Sequence, residues 1–237
     1  MSEWKAKRFW TSAQVVPSDD GFGIALDGRP VKTPAKQVLA VPTEAFADAI
    51  AREWDAQAEV IDPRSMPFTR TANVAIDKVV SQKAEVSKML ADYGDSDLLC
   101  YRADRPQELV QRQSDLWDPV LEWAAQTYGA RLLPRIGVVH EPQSEIALSR
   151  LSEPVFAMSH FELAAFHDLV SLSGSLVLAL ACTQDLYDSG RIWDISRLDE
   201  IWQIEQWGAD DDAEAVAHIK RAAFLHAKQV FDLLKVS

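Results

Sequence analysis

The spacing of apolar residues changes at Pro42, and this change restricts the chain to a fold with two parts. Before Pro42, Phe22, Ile24 and Leu26 alternate with small residues, which is the period of a β-strand. After it, apolar residues beginning with Phe46 recur every three or four positions, which is the period of a helix. The pattern predicts an α+β protein, with a small N-terminal β-rich domain followed by a larger C-terminal helical bundle domain.

Turn residues divide the N-terminal part into three to five short strands. Asp27-Gly28 is a favoured two-residue hairpin turn, and Ser18–Gly21 predicts an earlier one. We expect further strands at residues 31–33 and 38–41. The predicted domains are residues 1–68, with the strands and one helix, and residues 69–237.

Helical spacing continues to the C-terminus, with Pro119 expected to kink or break one helix. Residues 130–143 contain Pro134, Gly137 and Pro142 and predict a loop or an extra strand. We expect one helix in each of six segments, which begin at Thr43, at Ile76 (running to Leu90), near Leu109, at a capping box on Ser159 (running to Leu180), at Ile192 (ending at Trp207) and near Asp210.

Charge and hydropathy exclude two classes of partner. The formal net charge is −12, and an acidic surface repels phosphate backbones, so we expect no nucleic acid partner. The longest apolar run, Leu176–Cys182, is far shorter than the roughly 20 residues that span a bilayer. We therefore expect no membrane insertion.

The start of the chain and its cysteines predict a soluble, cytoplasmic protein. The sequence MSEWKAKRFW lacks the apolar stretch of a secretory signal. Cys100 and Cys182 each have apolar neighbours, which favours two reduced, packed thiols over a disulfide.

The usual catalytic and cofactor motifs are missing from the sequence. It has no phosphate-binding loop, GxGxxG or GxSxG motif. His160 and His167 share a helix face without further metal donors nearby in sequence, so we expect no metal, cofactor or catalytic residue. The alternative is a hydrolase whose acidic dyad, for example Asp97 with Glu200, meets in an interdomain cleft.

Eight tryptophans are an unusually large number for 237 residues. Most lie in helical stripes and are expected in the core. One or two exposed tryptophans would be natural anchors for a protein partner, because tryptophan is enriched at interface hot spots.

An ordered series of short strings covers nearly the whole chain. The strings are Arg8-Phe9-Trp10, Leu26-Asp27-Gly28-Arg29, Lys32-Thr33-Pro34, Val41-Pro42, Glu53-Trp54-Asp55 with Gln57, Met66-Pro67 with Thr69, Asp97-Leu98 with Cys100-Tyr101-Arg102, Trp117-Asp118-Pro119, Glu122-Trp123-Ala124, Arg197-Leu198 with Glu200, Gln203-Ile204 and Trp207-Gly208. In this order they resemble the chaperone family that assembles the F-type ATP synthase, and the shared order makes the resemblance specific. Because Arg8-Phe9-Trp10 comes almost at its start, the chain is similar to a bacterial, cytoplasmic form, or to a mitochondrial matrix form if a presequence has been removed.

The resemblance implies a binding protein that is not an enzyme. Its expected partner is the unassembled alpha subunit of the F-type ATP synthase, which it would shield until the catalytic sector forms. The acidic and aromatic C-terminal block is the implied partner-binding site, and its residues are Asp199, Glu200, Trp202, Gln203 and Trp207. A general adaptor for apolar segments remains a further alternative.

Overall fold

The computed structural model describes residues 7–235. Residues 1–6, where the sequence predicts no targeting segment, and residues 236–237 lie outside the described residues. The strands are β1 (Ala13–Ser18), β2 (Gly21–Leu26), β3 (Arg29–Pro30), β4 (Ala40–Val41), β5 (Tyr101–Arg102) and β6 (Arg135–Ile136). The helices are α1 (Glu44–Asp55), α2 (Pro67–Asp77), α3 (Lys83–Asp92), α4 (Gln107–Tyr128), α5 (Glu145–Ala157), α6 (His160–Ser173), α7 (Leu176–Thr183), α8 (Ser189–Ser196), α9 (Leu198–Trp207) and α10 (Asp211–Leu233).

The first four strands form one antiparallel sheet with β2 at its centre. β1 pairs along the whole of β2, with Ser18 opposite Gly21, while β3 and β4 share the other edge of β2. Asp27 and Gly28 form the predicted hairpin turn, with φ angles of 47° and 80°, which suits a turn that needs two positive φ angles. The predicted α+β class, with its small β region before a larger helical part, is confirmed.

Three separate stretches of the chain build the first compact unit. It contains the described residues up to Lys83, then Ser159–Ala165 and residues 229–235. Thr43 shows how they join, because its hydroxyl accepts from the Phe46 N–H and donates to the Leu233 carbonyl at 2.6 Å. The Phe46 ring lies 6.3 Å from the ring of Phe161. The division into residues 1–68 and 69–237 stays a prediction.

A short, wholly buried helix forms the centre of the second unit, which contains Ala84–Met158 and Phe166–Lys228. Every residue of α7 is at most 3% exposed. Trp117 of α4 is fully buried, and its indole N–H donates to the Ile195 carbonyl at 3.0 Å. Cys100 and Cys182 are buried thiols, as predicted, and desolvation raises the pKa of the Cys100 thiol to about 12.

Two helices predicted as continuous are interrupted. The segment from Ser159 to Leu180 divides into α6 and α7 because Gly174 adopts a φ of +69°, outside the helical range. The segment ending at Trp207 divides into α8 and α9 at Arg197, which has φ −103° and ψ 13°.

One further prediction about a helix was wrong. The expected helix from Ile76 to Leu90 consists of the end of α2, a 3₁₀ turn at Val79–Gln82 and α3. Helix α2 ends at Asp77 because the next residue, Lys78, has a non-helical backbone with φ −125° and ψ −58°. Pro119 lies inside the continuous helix α4, so no break occurs there, and the expected kink stays a prediction.

Candidate functional site

Helix α9 has a buried face and an exposed apolar face. Leu198 and Trp202, four residues apart, are 5% and 7% exposed. Ile201, Ile204 and Trp207 follow at intervals of three and are 38%, 42% and 79% exposed. Steps of three or four residues keep side chains near one face, so this short helix packs with one side and presents a second apolar stripe outward.

Trp202 is held in place by α4. The Arg112 guanidinium lies 4.8 Å from the centre of the Trp202 ring, within the range of a cation–π contact. The same guanidinium pairs with Glu205 at 2.7 Å. Trp202, predicted as a partner contact, therefore fixes the packing of α9.

Asp199 joins α9 to the segment that follows β5. Its Oδ1 accepts from the Gln113 side-chain amide at 2.8 Å, and the Gln113 carbonyl oxygen accepts from the Ala103 N–H at 2.9 Å. Gln113 is 2% exposed, so its amide needs these partners. Asp199 thus connects three segments at the border of a pocket.

Glu200 occupies the first turn of α9 and pairs locally. Its carboxylate accepts from Arg197 Nη1 at 2.7 Å, and its side chain is 43% exposed. An exposed pair three residues apart contributes little to stability. Loss of this pair is therefore expected to leave the helix folded.

Gln203 and Trp207 line a pocket with a volume of about 540 Å³. One wall is the segment Tyr101–Pro106, and a further part is Gly137-Val138 beside β6. Gly208, with a φ of +89°, ends α9 directly after Trp207. The pocket is lined by Tyr101, Arg102, Ala103, Asp104, Arg105, Pro106, Leu109, Gln113, Gly137, Val138, Asp199, Trp202, Gln203, Gln206 and Trp207.

Negative charge is concentrated in α9 and in the segment that follows it. Residues 198–214 carry seven Asp or Glu and no Lys or Arg. The opposite wall is mixed, because Arg105 and Asp104 both lie there and are exposed. An exposed apolar stripe within an acidic stretch suits a partner with apolar and basic residues.

Asp97 and Glu200, the two acids of the alternative catalytic dyad, make separate sets of contacts. Asp97 is fully buried and accepts from the Ser175 hydroxyl at 2.7 Å and the Val177 N–H at 3.0 Å. Glu200 pairs with Arg197 at the start of α9. Asp97 therefore serves the packing of α7.

The two histidines singled out in the sequence have structural neighbours. His167 Nδ1 lies 3.1 Å from the Asp168 carboxylate, and this hydrogen bond raises its pKa. Burial lowers the pKa of His160, which is the first residue of α6. Within residues 7–235, no group of three or more His, Cys, Asp or Glu side chains is placed to hold a metal ion.

Sequence reasoning missed the wall of the pocket opposite α9. Val138 is 90% exposed and lines the same pocket as Trp207. It follows β6, which pairs in parallel with β5, so Tyr101 lies opposite Arg135. The turn markers near Gly137 indicated only a loop or strand, because pairing across more than 30 residues leaves no local pattern.

In the part of the chain that the structure describes, no helix has the length and apolar character needed to cross a membrane.

Comparison with known proteins points to one family. A family model described as ATP12 chaperone protein matches residues 7–125. The mitochondrial protein atp12 of Schizosaccharomyces pombe is 26% identical over 222 residues, covering 89% of this chain and 76% of the relative.

Two solved structures resemble this chain over nearly its whole length. Atp12 from Paracoccus denitrificans is 46% identical with a TM-score of 0.95, covering 98% of this chain and 100% of that chain. The Atu1473 protein of Agrobacterium tumefaciens is 40% identical with a TM-score of 0.91, covering 97% of this chain and 86% of that chain.

Proposed function

Because the chain belongs to the ATP12 chaperone family, we propose that it binds the unassembled alpha subunit of the F-type ATP synthase. In this proposal it shields the subunit interface of the alpha subunit and leaves when the catalytic sector assembles. It acts by binding and not by catalysis. Its place of action is the bacterial cytoplasm, or the mitochondrial matrix if a presequence has been removed.

Trp207 is the observation that carries this proposal. It is 79% exposed, and it is the most exposed tryptophan among residues 7–235. An exposed tryptophan is a natural anchor for a protein partner, because tryptophan is enriched at interface hot spots. Its place at the end of an acidic helix favours a client interface that is apolar and partly basic.

The five predicted site residues divide into contacts and supports. Trp207, Gln203 and Glu200 are available to a client, since the first two are exposed and the Glu200 side chain is 43% exposed. Trp202, through its ring contact with Arg112, and Asp199, through its hydrogen bond with Gln113, hold α9 in position against α4. Losing a support would weaken binding by displacing the contacts.

Co-purification with the alpha subunit tests the proposal. Wild-type protein should retain the alpha subunit, Trp207→Ala should reduce its recovery strongly, and Glu200→Lys should reduce it by placing a cation among basic client residues. Phe9→Ala is the matched control, because Phe9 is 69% exposed in the first unit, and it should leave recovery unchanged.

Two results would contradict the proposal. Failure of the folded wild type to retain any alpha subunit removes the client itself. Full retention by folded Trp207→Ala and Glu200→Lys proteins removes α9 from the binding surface, with folding checked by circular dichroism and thermal unfolding.

A further inference from the structure

Helix α10 passes from an exposed to a buried environment along its length. Nearly every residue from Asp211 to Ala222 is exposed. Farther along, Phe224 is fully buried and Ala227 is 2% exposed. The first three turns of α10 therefore project beyond the packing that holds the rest of the helix.

The apolar stripe of α10 continues into the projecting turns. Val216, Ile219, Ala223 and Ala227 follow at steps of three, four and four residues, which keeps them within about 80° on a helix of 3.6 residues per turn. Val216 and Ile219 are 50% and 68% exposed. They extend the core-facing stripe of the helix to a place where the protein does not bury it.

The buried part of α10 is firmly attached within the second unit. The Phe224 ring lies 5.6 Å from the Trp193 ring. The Lys228 ammonium lies 2.7 Å from the Asp185 carboxylate. A helix fixed there carries its first turns as a rigid extension, so their stripe is preorganised for a partner.

The acidic residues at the start of α10 favour one kind of partner. Asp210, Asp211, Asp212 and Glu214 lie around the start of α10, and the first basic residue after Arg197 is Lys220. These acids favour a positively charged partner. A second copy of this chain would bring the same acids against them, which is repulsive.

We propose that the first three turns of α10 form a second part of the client-binding surface, with Val216 and Ile219 packing against an apolar client segment flanked by Lys or Arg. This inference rests on the proposed function, and it extends the surface beyond Trp207 on α9. The two parts are close in sequence, since Gly208–Asp210 alone separates the helices. An apolar stripe bordered by charge is how helical surfaces commonly recognise amphipathic segments.

The double variant Val216→Gln/Ile219→Gln tests the surface. Glutamine is a good helix former, so the helix persists while its apolar stripe is lost. His218→Gln is the matched control, because His218 is exposed and lies about 160° around the helix from Val216. Dissociation constants for the purified alpha subunit are measured by biolayer interferometry for these proteins and for the wild type. We expect at least a tenfold weaker complex for the double variant and less than a twofold change for His218→Gln.

A peptide probe separates this inference from the proposed function. The probe is a fluorescent helical peptide with a leucine stripe flanked by lysines, and an otherwise identical peptide with glutamates is its comparison. The inference expects the basic peptide to bind the wild type and to lose at least tenfold in affinity with the double variant.

The measurements distinguish failure of the α10 surface from failure of the proposed function. Unchanged affinity of the folded double variant for the alpha subunit overturns the surface and leaves the proposed function standing. If the wild type does not bind the alpha subunit, the proposed function fails, and the peptide alone decides the surface. Equal binding of the peptide by wild type and double variant overturns the surface. A wild-type dimer that the double variant abolishes, measured by sedimentation, overturns the client as occupant in favour of a second copy.

Discussion

Asp97 is a carboxylate enclosed by the core of the second unit. Its two oxygens accept from the Leu99 N–H, the Ser175 hydroxyl and the Val177 N–H. These donors lower its pKa, but desolvation outweighs them, and burial raises the pKa from 3.8 to about 6. The folded protein therefore holds this proton more tightly than the unfolded chain does.

The raised pKa predicts a pH dependence of stability. Between about pH 4 and pH 6 the folded state binds more protons at Asp97 than the unfolded state, so the free energy of unfolding falls as pH rises through this window. Asp97→Asn removes the titration, although its amide loses an acceptor and lowers stability by about 1–3 kcal/mol. Urea unfolding at several pH values should show the advantage of the wild type over Asp97→Asn shrinking from pH 4 to pH 7.

The exposed turn residue Asp19 offers a control for this experiment. Asp19→Asn should unfold in parallel with the wild type across the same pH range. An advantage over Asp97→Asn that stays constant or grows with pH would show that burial does not raise the pKa of Asp97.

At the scale of elements, α2 obtains its N-terminal cap from another helix. Its own N-cap residue, Met66, makes no side-chain cap. Instead the Glu53 carboxylate of α1 accepts from the Phe68 N–H at 2.6 Å and from the Thr69 N–H at 2.8 Å. This satisfies two of the unpaired donors that every helix start presents, and it ties two helices together.

Replacing this cap predicts a loss of stability. Glu53→Gln turns an NH₂ group toward N–H donors at a site that is 9% exposed, and we expect a loss of about 1–3 kcal/mol in the free energy of unfolding. Asp48→Asn, on the exposed side of α1, should change it little. Chemical denaturation measures both, and equal stability of the two variants would remove Glu53 as the cap.

The interruption between α6 and α7 depends on Gly174. Its φ of +69° disfavours any residue with a Cβ, although the nearest neighbour, Leu98 Cβ, would be 3.9 Å away. Gly174→Ala should therefore cost about 1–2 kcal/mol through backbone strain alone. Gly23→Ala, where an added Cβ meets ordinary contacts, is the control for thermal unfolding. A Gly174→Ala protein as stable as this control would show that the strain is relieved.

Local chemistry explains which elements could be predicted. The capping box on Ser159 forms as expected, because the Ser159 hydroxyl accepts from the Glu162 N–H and the Glu162 carboxylate accepts from the Ser159 N–H. The interruption at Gly174 was missed, because apolar residues continue on both sides of it. At the site, the exposure of one tryptophan could be expected, but Val138 depends on strand pairing with a distant segment.

At the scale of the whole molecule, the excess of negative charge should steer a basic client. The net charge is −12, and salt screens charges over about 10 Å at 0.1 M ionic strength. We expect the association rate with the alpha subunit to fall about tenfold between roughly 20 mM and 500 mM salt. Stopped-flow tryptophan fluorescence measures this rate.

A variant with fewer acidic residues tests whether the salt dependence of the association rate arises from this protein. Asp210→Asn/Asp211→Asn/Asp212→Asn removes three of the acids that follow Trp207 in the sequence and should show a shallower dependence on salt. The same slope for the variant and the wild type would place the steering charges elsewhere on the surface.

The contact between Thr43 and Leu233 has a consequence for how the protein is made. A ribosome releases the chain from the N-terminus, so β1 to β4 and α1 emerge long before the residue that accepts the Thr43 hydrogen bond. The first unit also waits for Phe161, which packs on Phe46. Its final packing therefore waits until synthesis has passed Leu233, when the last turn of α10 packs against the start of α1.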